Sequence, residues 1–236
     1  MTRTALLNNV DHGKLRVIAR HGSAYGDSVN QALVFPTEFA AIQREYPILL
    51  FKEGGGAFQA VALLGLDRDE NLFLDAQGWH ARVVPAVHQR GPFLIGPSHG
   101  IGGDPKIHID LDDPRVSESE GEPLFLPQGG NAPYLQRVIR ALVVIHEGVD
   151  LGRRLYPALE AAGLIEPVNV EIQLSEREQY NLADYYSVSA EKLASLGGGE
   201  LQSLNMQGFL LPAFLMLASL DNVSRLIELK QRKREP

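Results

Sequence analysis

The residues best suited to chemistry are His108 and Asp110, two positions apart in the segment 106–111. This segment is predicted to be a strand, and alternate residues of a strand point to one face. An imidazole and a carboxylate on one face can ligate a metal ion, and a second histidine would complete an oxygenase-type iron site. His146 is predicted to lie on a helix, which makes it a poor distal ligand. The pattern favours a structural histidine, with an Fe(II) or zinc site as the alternative.

A second set of candidates would bind a ligand without reacting with it. Trp79 is the only tryptophan and lies near Asp75 after a predicted strand, so the two are candidate ligand-binding residues, with the ring as a platform for a sugar or an apolar side chain. Tyr185 and Tyr186 form a similar aromatic pair, and Arg90 is a candidate partner for a carboxylate ligand. Burial of the aromatic rings and a surface ion pair for Arg90 are the favoured interpretations.

Three partial motifs fail on spacing. The His-Glu pair at 146 resembles a zinc-protease helix, but Asp150 occupies the position of the second histidine. Ser23 directly follows Gly22, which does not match a nucleophile elbow and indicates a turn. The glycines of segment 99–103 lack the rest of a dinucleotide fingerprint and indicate a loop. No catalytic set is recognised in the sequence.

Composition excludes several classes of protein. The 236-residue chain has a formal net charge of −7, which gives no general attraction for nucleic acid or anionic lipid. It contains no cysteine, so disulfides, thiolate nucleophiles and iron–sulfur clusters are excluded. The apolar run 209–220 is shorter than a bilayer span and predicts a core helix. The N-terminus lacks the apolar region of a signal peptide, so a cytoplasmic location is expected.

Periodicity predicts an α+β fold. The N-terminal half is expected to form a twisted, mostly antiparallel sheet with one covering helix over 36–46. The C-terminal half is expected to be rich in helix and to contain at least one further strand, because residues 168–174 alternate between apolar and polar. Predicted strands cover 31–35, 48–52, 58–64, 71–74, 93–95 and 106–111, and predicted helices cover 133–163, 189–196 and 209–232. The first helix is predicted to end at Gly163, with Gly148 or Gly152 as a candidate break, and Ser189 is the predicted N-cap of the second helix.

The chain is predicted to form a single domain over residues 1–236. An alternative subdivision separates a sheet-rich part, 1–115, from a helix-rich part, 133–236. Residues 112–132 between them are rich in polar residues, proline and glycine, and include the acidic cluster Glu118, Glu120 and Glu122. They are interpreted as a polar loop or a linker.

Residues spread over nearly the whole chain resemble the bacterial SapC-like family. They are Asn9–His12, Val34–Phe39, 45–48, 61–65, 70–74, Trp79, 92–93, 109–112, 133–135, 164–166 and 217–222. The resemblance implies a link to the bacterial surface layer. It also implies an association with outer-membrane nutrient receptors, cupin-like oxygenases and flavin-dependent halogenases, but it implies no catalytic residue set.

These observations favour a non-enzymatic binding or accessory protein in bacterial envelope or nutrient-uptake biology. Its expected partner is a protein, such as a flavin-dependent halogenase or an envelope-uptake component, and a homo-oligomer is compatible with the sequence. No cofactor is predicted. The alternative is a metal-dependent, oxygenase-like enzyme that uses His108 and Asp110, and the third hypothesis is a structural protein of the surface layer.

Overall fold

The computed structural model describes residues 3–52, 54, 56–96, 106–168, 171–175, 178–181 and 184–233. Antiparallel sheets and helices alternate along the chain, which confirms the predicted α+β class. The described strands are β1 (Thr4–Leu6), β2 (Arg16–Val17), β3 (Gln31–Val34), β4 (Ile48–Lys52), β5 (Phe58–Leu63), β6 (Leu74–Asp75), β7 (Gly78–Trp79), β8 (Phe93–Gly96), β9 (Lys106–Asp110), β10 (Val116–Ser117), β11 (Glu122–Pro123), β12 (Ile165–Pro167), β13 (Glu171–Ser175), β14 (Glu178–Asn181) and β15 (Tyr186–Val188). The described helices are α1 (Phe39–Ile42), α2 (Ala86–Gln89), α3 (Pro133–Ala161), α4 (Ala190–Ala194), α5 (Gly198–Met206), α6 (Leu210–Ser219) and α7 (Asn222–Arg232).

The main sheet has five antiparallel strands in the order β12-β15-β4-β5-β3. Its two central strands, β4 and β5, are almost entirely buried, which fits their continuous apolar sequences. The Lys52 ammonium lies 2.9 Å from the Glu160 carboxylate, so the C-terminal half of α3 covers the sheet face that carries Lys52. The backbone N–H of Ile48 donates to Ser219 Oγ, which fastens α6 beside β4.

Two smaller sheets form a second region. Strands β1, β9 and β8 form one antiparallel sheet, and β10, β2 and β11 form the other. Their buried side chains pack with the first turns of α3 in a cluster separate from the main core. The helix α3 contributes residues to both clusters and therefore connects the two regions.

The long helix α3 runs without a break, although Gly148 and Gly152 were candidate breakpoints in the sequence. Gly148 is required by packing, because a Cβ atom there would lie 2.3 Å from Phe35 Cβ. Gly163 has a φ of 67° just after the helix, which confirms it as the predicted stop.

Several predicted elements differ from the structure in extent. The helix predicted over 36–46 is only α1, and the strand predicted over 71–74 is a turn that leads into β6. The helix predicted over 209–232 is two helices, because α6 ends at Ser219 before α7 begins. The segment 112–132, interpreted as a loop or linker, contributes β10 and β11 and the fully buried Leu124.

Candidate functional site

A buried carboxylate, Asp27, organises a polar cluster around two histidines. The residue is only 1% exposed, and its carboxylate accepts a hydrogen bond of 2.8 Å from the backbone N–H of Gly22. His88 Nδ1 lies 2.8 Å from the other carboxylate oxygen. His21 Nδ1 lies 3.3 Å from the carboxylate but without hydrogen-bond geometry. The two histidines therefore flank one carboxylate.

The protonation state of this cluster follows from its hydrogen bonds. Burial alone would raise the pKa of Asp27, but the contacts from His21, His88 and Gly22 outweigh it and hold the pKa well below its usual range. Because an ionised carboxylate only accepts hydrogen bonds, His88 Nδ1 must carry a proton. His88 Nε2 is then the ring nitrogen left for another partner, and it has none among the described residues.

Trp79 lies against this cluster, between the two histidine rings. Its ring centroid is 5.5 Å from that of His21 and 5.1 Å from that of His88. Its indole Nε1–H donates a hydrogen bond of 2.8 Å to the Tyr46 hydroxyl, which in turn donates to the Val83 carbonyl. The half-buried tryptophan is therefore held by the histidine rings and by the hydrogen bond of its indole N–H.

A cavity of about 190 Å³ opens beside the histidines, between α2, the first turns of α3 and the segment 18–21. We call this cavity the polar cleft. Its polar lining residues are Arg20, His21, His88, Gln89, Arg115, Glu122, Tyr134 and Arg137.

Arg115 is the most firmly held cation of the polar cleft. Its Nε and Nη2 donate to the Asp113 carboxylate at 2.8 and 2.6 Å, which raises the pKa of the guanidinium. Its Nη1 has no hydrogen-bond partner among the described residues. Arg137 donates to Glu122 at 2.8 Å at the more exposed edge.

Asp75 and Trp79, both predicted as ligand-binding residues, lie at opposite ends of the β6–β7 hairpin, but only Trp79 reaches the histidine cluster. Asp75 instead forms an exposed pair with His80, whose Nε2 lies 2.6 Å from the carboxylate.

Arg90, the third candidate, lies beside the polar cleft. It donates a hydrogen bond of 2.7 Å to the Phe93 carbonyl. Burial, together with repulsion from Arg115, lowers its pKa. No carboxylate among the described residues lies within ion-pair distance of Arg90, which does not match a surface ion pair.

The tyrosine pair lies elsewhere, in and next to β15 of the main sheet. The Tyr185 hydroxyl donates to Gln31 Oε1 at 2.7 Å, and the Tyr186 ring packs edge-on against Phe58 at a centroid distance of 5.2 Å. Both residues are half-buried. The structure therefore separates the tyrosines from Trp79.

His108 and Asp110 lie on β9, on the predicted strand. Asp110 Oδ1 accepts the backbone N–H of Asp112 at 3.0 Å, which is the geometry of a turn. His146 is exposed on α3. The described part of the chain contains no group of three histidine, aspartate or glutamate side chains placed to hold a metal ion, and the segment 99–103 lies outside it.

A different kind of surface lies on α6. Leu211 and Phe214 are 65% and 53% exposed, and Ala218 follows them at helical spacing with its side chain also exposed. We call these three residues the α6 face. The prediction of a core helix is therefore wrong for this side of α6, although Pro212, Ala213, Met216 and Ser219 on the inner side are buried.

The stretch Leu210–Arg232, which covers α6 and α7, passes a length and composition test for a membrane span. Its α7 half packs on the rest of the protein through ion pairs, because the buried Lys230 donates to Asp67 and to Glu70. Burial opposes ionisation of Glu70, but the hydrogen bonds from Lys230 and Lys233 lower its pKa. We therefore interpret the α6 face as a surface of a folded protein.

Sequence reasoning missed His21, Asp27, His88 and Arg115. Asp27 and His88 are 61 residues apart, and no short motif connects them. Two sequence candidates, Arg90 and Trp79, do lie next to the polar cleft. They could not identify its other residues, because those residues come from distant parts of the chain.

The fold and these two surfaces define an α+β protein with a small polar cleft and an exposed apolar helix face. The chain matches the model of the SapC family over residues 7–226 and belongs to that family. Neither a curated protein nor a solved structure shows significant similarity to it.

Proposed function

We propose that this chain is a non-enzymatic binding protein that docks a partner protein through the α6 face. The observation that carries the proposal is the exposure of Leu211 and Phe214 on a helix whose other side is buried. Large exposed apolar side chains that lie together mark interaction surfaces in globular proteins. Phe214 is the expected anchor, because aromatic residues contribute most to such interfaces.

The charges around the α6 face favour a protein over a lipid surface. Residues 201–220 contain no charged side chain, and Met206, 79% exposed, extends the apolar character to the end of α5. Helices that bind anionic membranes carry lysine or arginine beside their apolar face. The exposed residues that precede α6 in the sequence are Gln202, Ser203, Asn205 and Gln207, which are uncharged and suit the polar rim of a protein interface.

The family resemblance supplies the first partner to test, a flavin-dependent halogenase, and the second, an envelope-uptake component. We expect the complex to form in the cytoplasm. A partner with an apolar groove of helix width would match the spacing of Leu211, Phe214 and Ala218.

The test compares two charge substitutions at exposed apolar residues. We expect the purified chain to bind the halogenase of the same bacterium with a dissociation constant on the order of micromolar, measured by titration calorimetry. Phe214→Asp should weaken binding at least about tenfold, because it places a charge in an apolar contact. Val143→Asp on α3, where the valine is 45% exposed, should bind as the wild type does.

Three outcomes would contradict the proposal. Neither partner binds, or Phe214→Asp binds as tightly as the wild type, or sedimentation shows a dimer of the chain that Phe214→Asp abolishes. The last result would assign the α6 face to a second copy. Because Phe214 is exposed, its substitution should change the free energy of unfolding by less than about 0.5 kcal/mol, which denaturation checks.

A further inference from the structure

We propose that the polar cleft binds a small organic carboxylate. The site is formed by α2, α3 and the segment 18–21, and it shares no lining residue with the α6 face. Ligand binding in the cleft therefore does not depend on partner docking at the α6 face. Three lines of observation support it, namely the donors that converge on the cleft, its local charge and its size.

The donors in the cleft are held in place but not used. Asp27 orients His88 through Nδ1, and Asp113 orients Arg115 through Nε and Nη2. Arg115 Nη1 is then a free donor, whereas Nε2 of His88 is a free acceptor while the ring is neutral and suits a hydroxyl of the ligand. Neither atom has a partner among the described residues. Protein sites for anions are built in this way, with donors fixed from behind by other carboxylates.

The Tyr134 hydroxyl is a second donor in the same cavity. It has no hydrogen-bond partner among residues that the structure describes, although the side chain is only 8% exposed. Burial raises the pKa of Tyr134 to about 12, so the hydroxyl keeps its proton near neutral pH. Gly91 adopts a φ of 53° beside it, and a Cβ atom at that position would lie 3.3 Å from this hydroxyl.

The local charge favours a monoanion. Four arginines lie in or beside the cleft, namely Arg20, Arg90, Arg115 and Arg137. They face three carboxylates, Asp27, Asp113 and Glu122, which leaves one positive charge in excess in the cleft itself while the histidines are neutral. Glu120 lines the open groove next to the cleft and balances this charge at its outer end. The whole chain carries −7, so this excess is local. A carboxylate balances it, whereas a phosphate dianion would be repelled by Asp113 and Glu122.

The size of the cavity limits the head group, and an adjoining groove accommodates the remainder. The cleft of about 190 Å³ is below the usual range for drug-sized ligands. An open groove of about 520 Å³ continues from it past Tyr25, and the two share Ile18, Ala19, Arg20 and Glu122. A carboxylate head in the cleft with an aromatic or aliphatic body in the groove fits both parts.

Trp79 is a built-in reporter for the test. It is the only tryptophan of the chain, and its ring contacts both cleft histidines. Acetate, benzoate and succinate are titrated into the full-length protein at constant ionic strength, with inorganic phosphate and chloride as comparisons. We expect a saturable change in tryptophan emission with at least one carboxylate below ~10 mM, and weaker binding of phosphate.

Two matched pairs of variants locate the binding. Tyr134→Phe removes only the free hydroxyl and should weaken binding about tenfold. Tyr156→Phe, the matched change at another buried tyrosine of α3, should leave it unchanged. Arg20→Gln should weaken binding several-fold, whereas Arg140→Gln should not, although both arginines are exposed and unpaired among the described residues.

Three results would overturn the inference. They are the absence of saturation with every carboxylate, tighter binding of phosphate than of any carboxylate, and equal affinities for the two members of each pair. Unfolding of all four variants is compared by denaturation, so that a loss of structure is distinguished from a loss of affinity.

Discussion

The polar cleft and the α6 face differ in what supports them. The cleft is concave, and its polar groups are oriented by carboxylates behind them, above all the buried Asp27. The α6 face is the outer side of a helix, without a charge in residues 201–220. The buried polar groups of a cleft need hydrogen bonds from other protein groups in place of water, whereas an exposed apolar face needs only a stable helix. The cleft should therefore be sensitive to internal substitutions and to pH, and the α6 face should not.

The largest expected effect comes from Asp27→Asn. The amide can accept at one position only, so either Gly22 N–H loses its acceptor or the amide NH2 faces His88 Nδ1 and forces the ring into its other tautomer; in both cases the hydrogen bonds to a buried charge are lost. We expect the free energy of unfolding to fall by about 2–4 kcal/mol in chemical denaturation. Tryptophan emission should change as well, because the His88 ring next to Trp79 loses its orientation.

The control for Asp27→Asn is Asp75→Asn, which alters the exposed aspartate–histidine pair of the same protein. Its stability should match the wild type, because an exposed pair contributes little. Equal stability of the two variants would mean that Asp27 does not support the cleft.

A smaller effect should appear in the pH dependence of stability. Glu38 is buried, and its carboxylate accepts the backbone N–H groups of Ala86, at the start of α2, and of Phe35. Burial raises the pKa of Glu38 to about 7, against the opposing effect of these two hydrogen bonds. Because the folded pKa exceeds the unfolded one, the contribution is full below pH ~4.5 and is lost as the pH rises through about 7.

We therefore expect the free energy of unfolding to fall between pH 5 and 7.5 by up to about 3 kcal/mol more in the wild type than in Glu38→Gln. Denaturation at several pH values measures this slope. The slope is the readout, because the glutamine also shifts stability by a constant amount when one N–H loses its acceptor. Parallel curves for the two proteins would show that Glu38 does not titrate in this range.

The sequence predicted those parts of the fold that local patterns control. The strands β4 and β5 follow from continuous apolar runs. The end of α3 follows from Gly163, because glycine readily adopts the positive φ that ends a helix. Ser189 was predicted as a helix N-cap, and its hydroxyl accepts the backbone N–H of Lys192.

The cleft could not be predicted, because its residues meet only through long-range packing. His21, His88 and Arg115 come from three distant segments, and each has an ordinary local sequence. The exposure of Phe214 was hidden for a different reason. A helix with apolar residues on all sides is expected to be buried, so composition cannot show which side is left uncovered.

Hydrogen exchange in the presence of the partner shows whether the partner docks on the α6 face. When the halogenase or the envelope-uptake component is added to the chain, we expect slower amide exchange in residues 205–220. The part of α3 around Val143 should exchange at an unchanged rate. Unchanged exchange in 205–220 upon complex formation, or protection confined to another surface, would contradict docking through the α6 face.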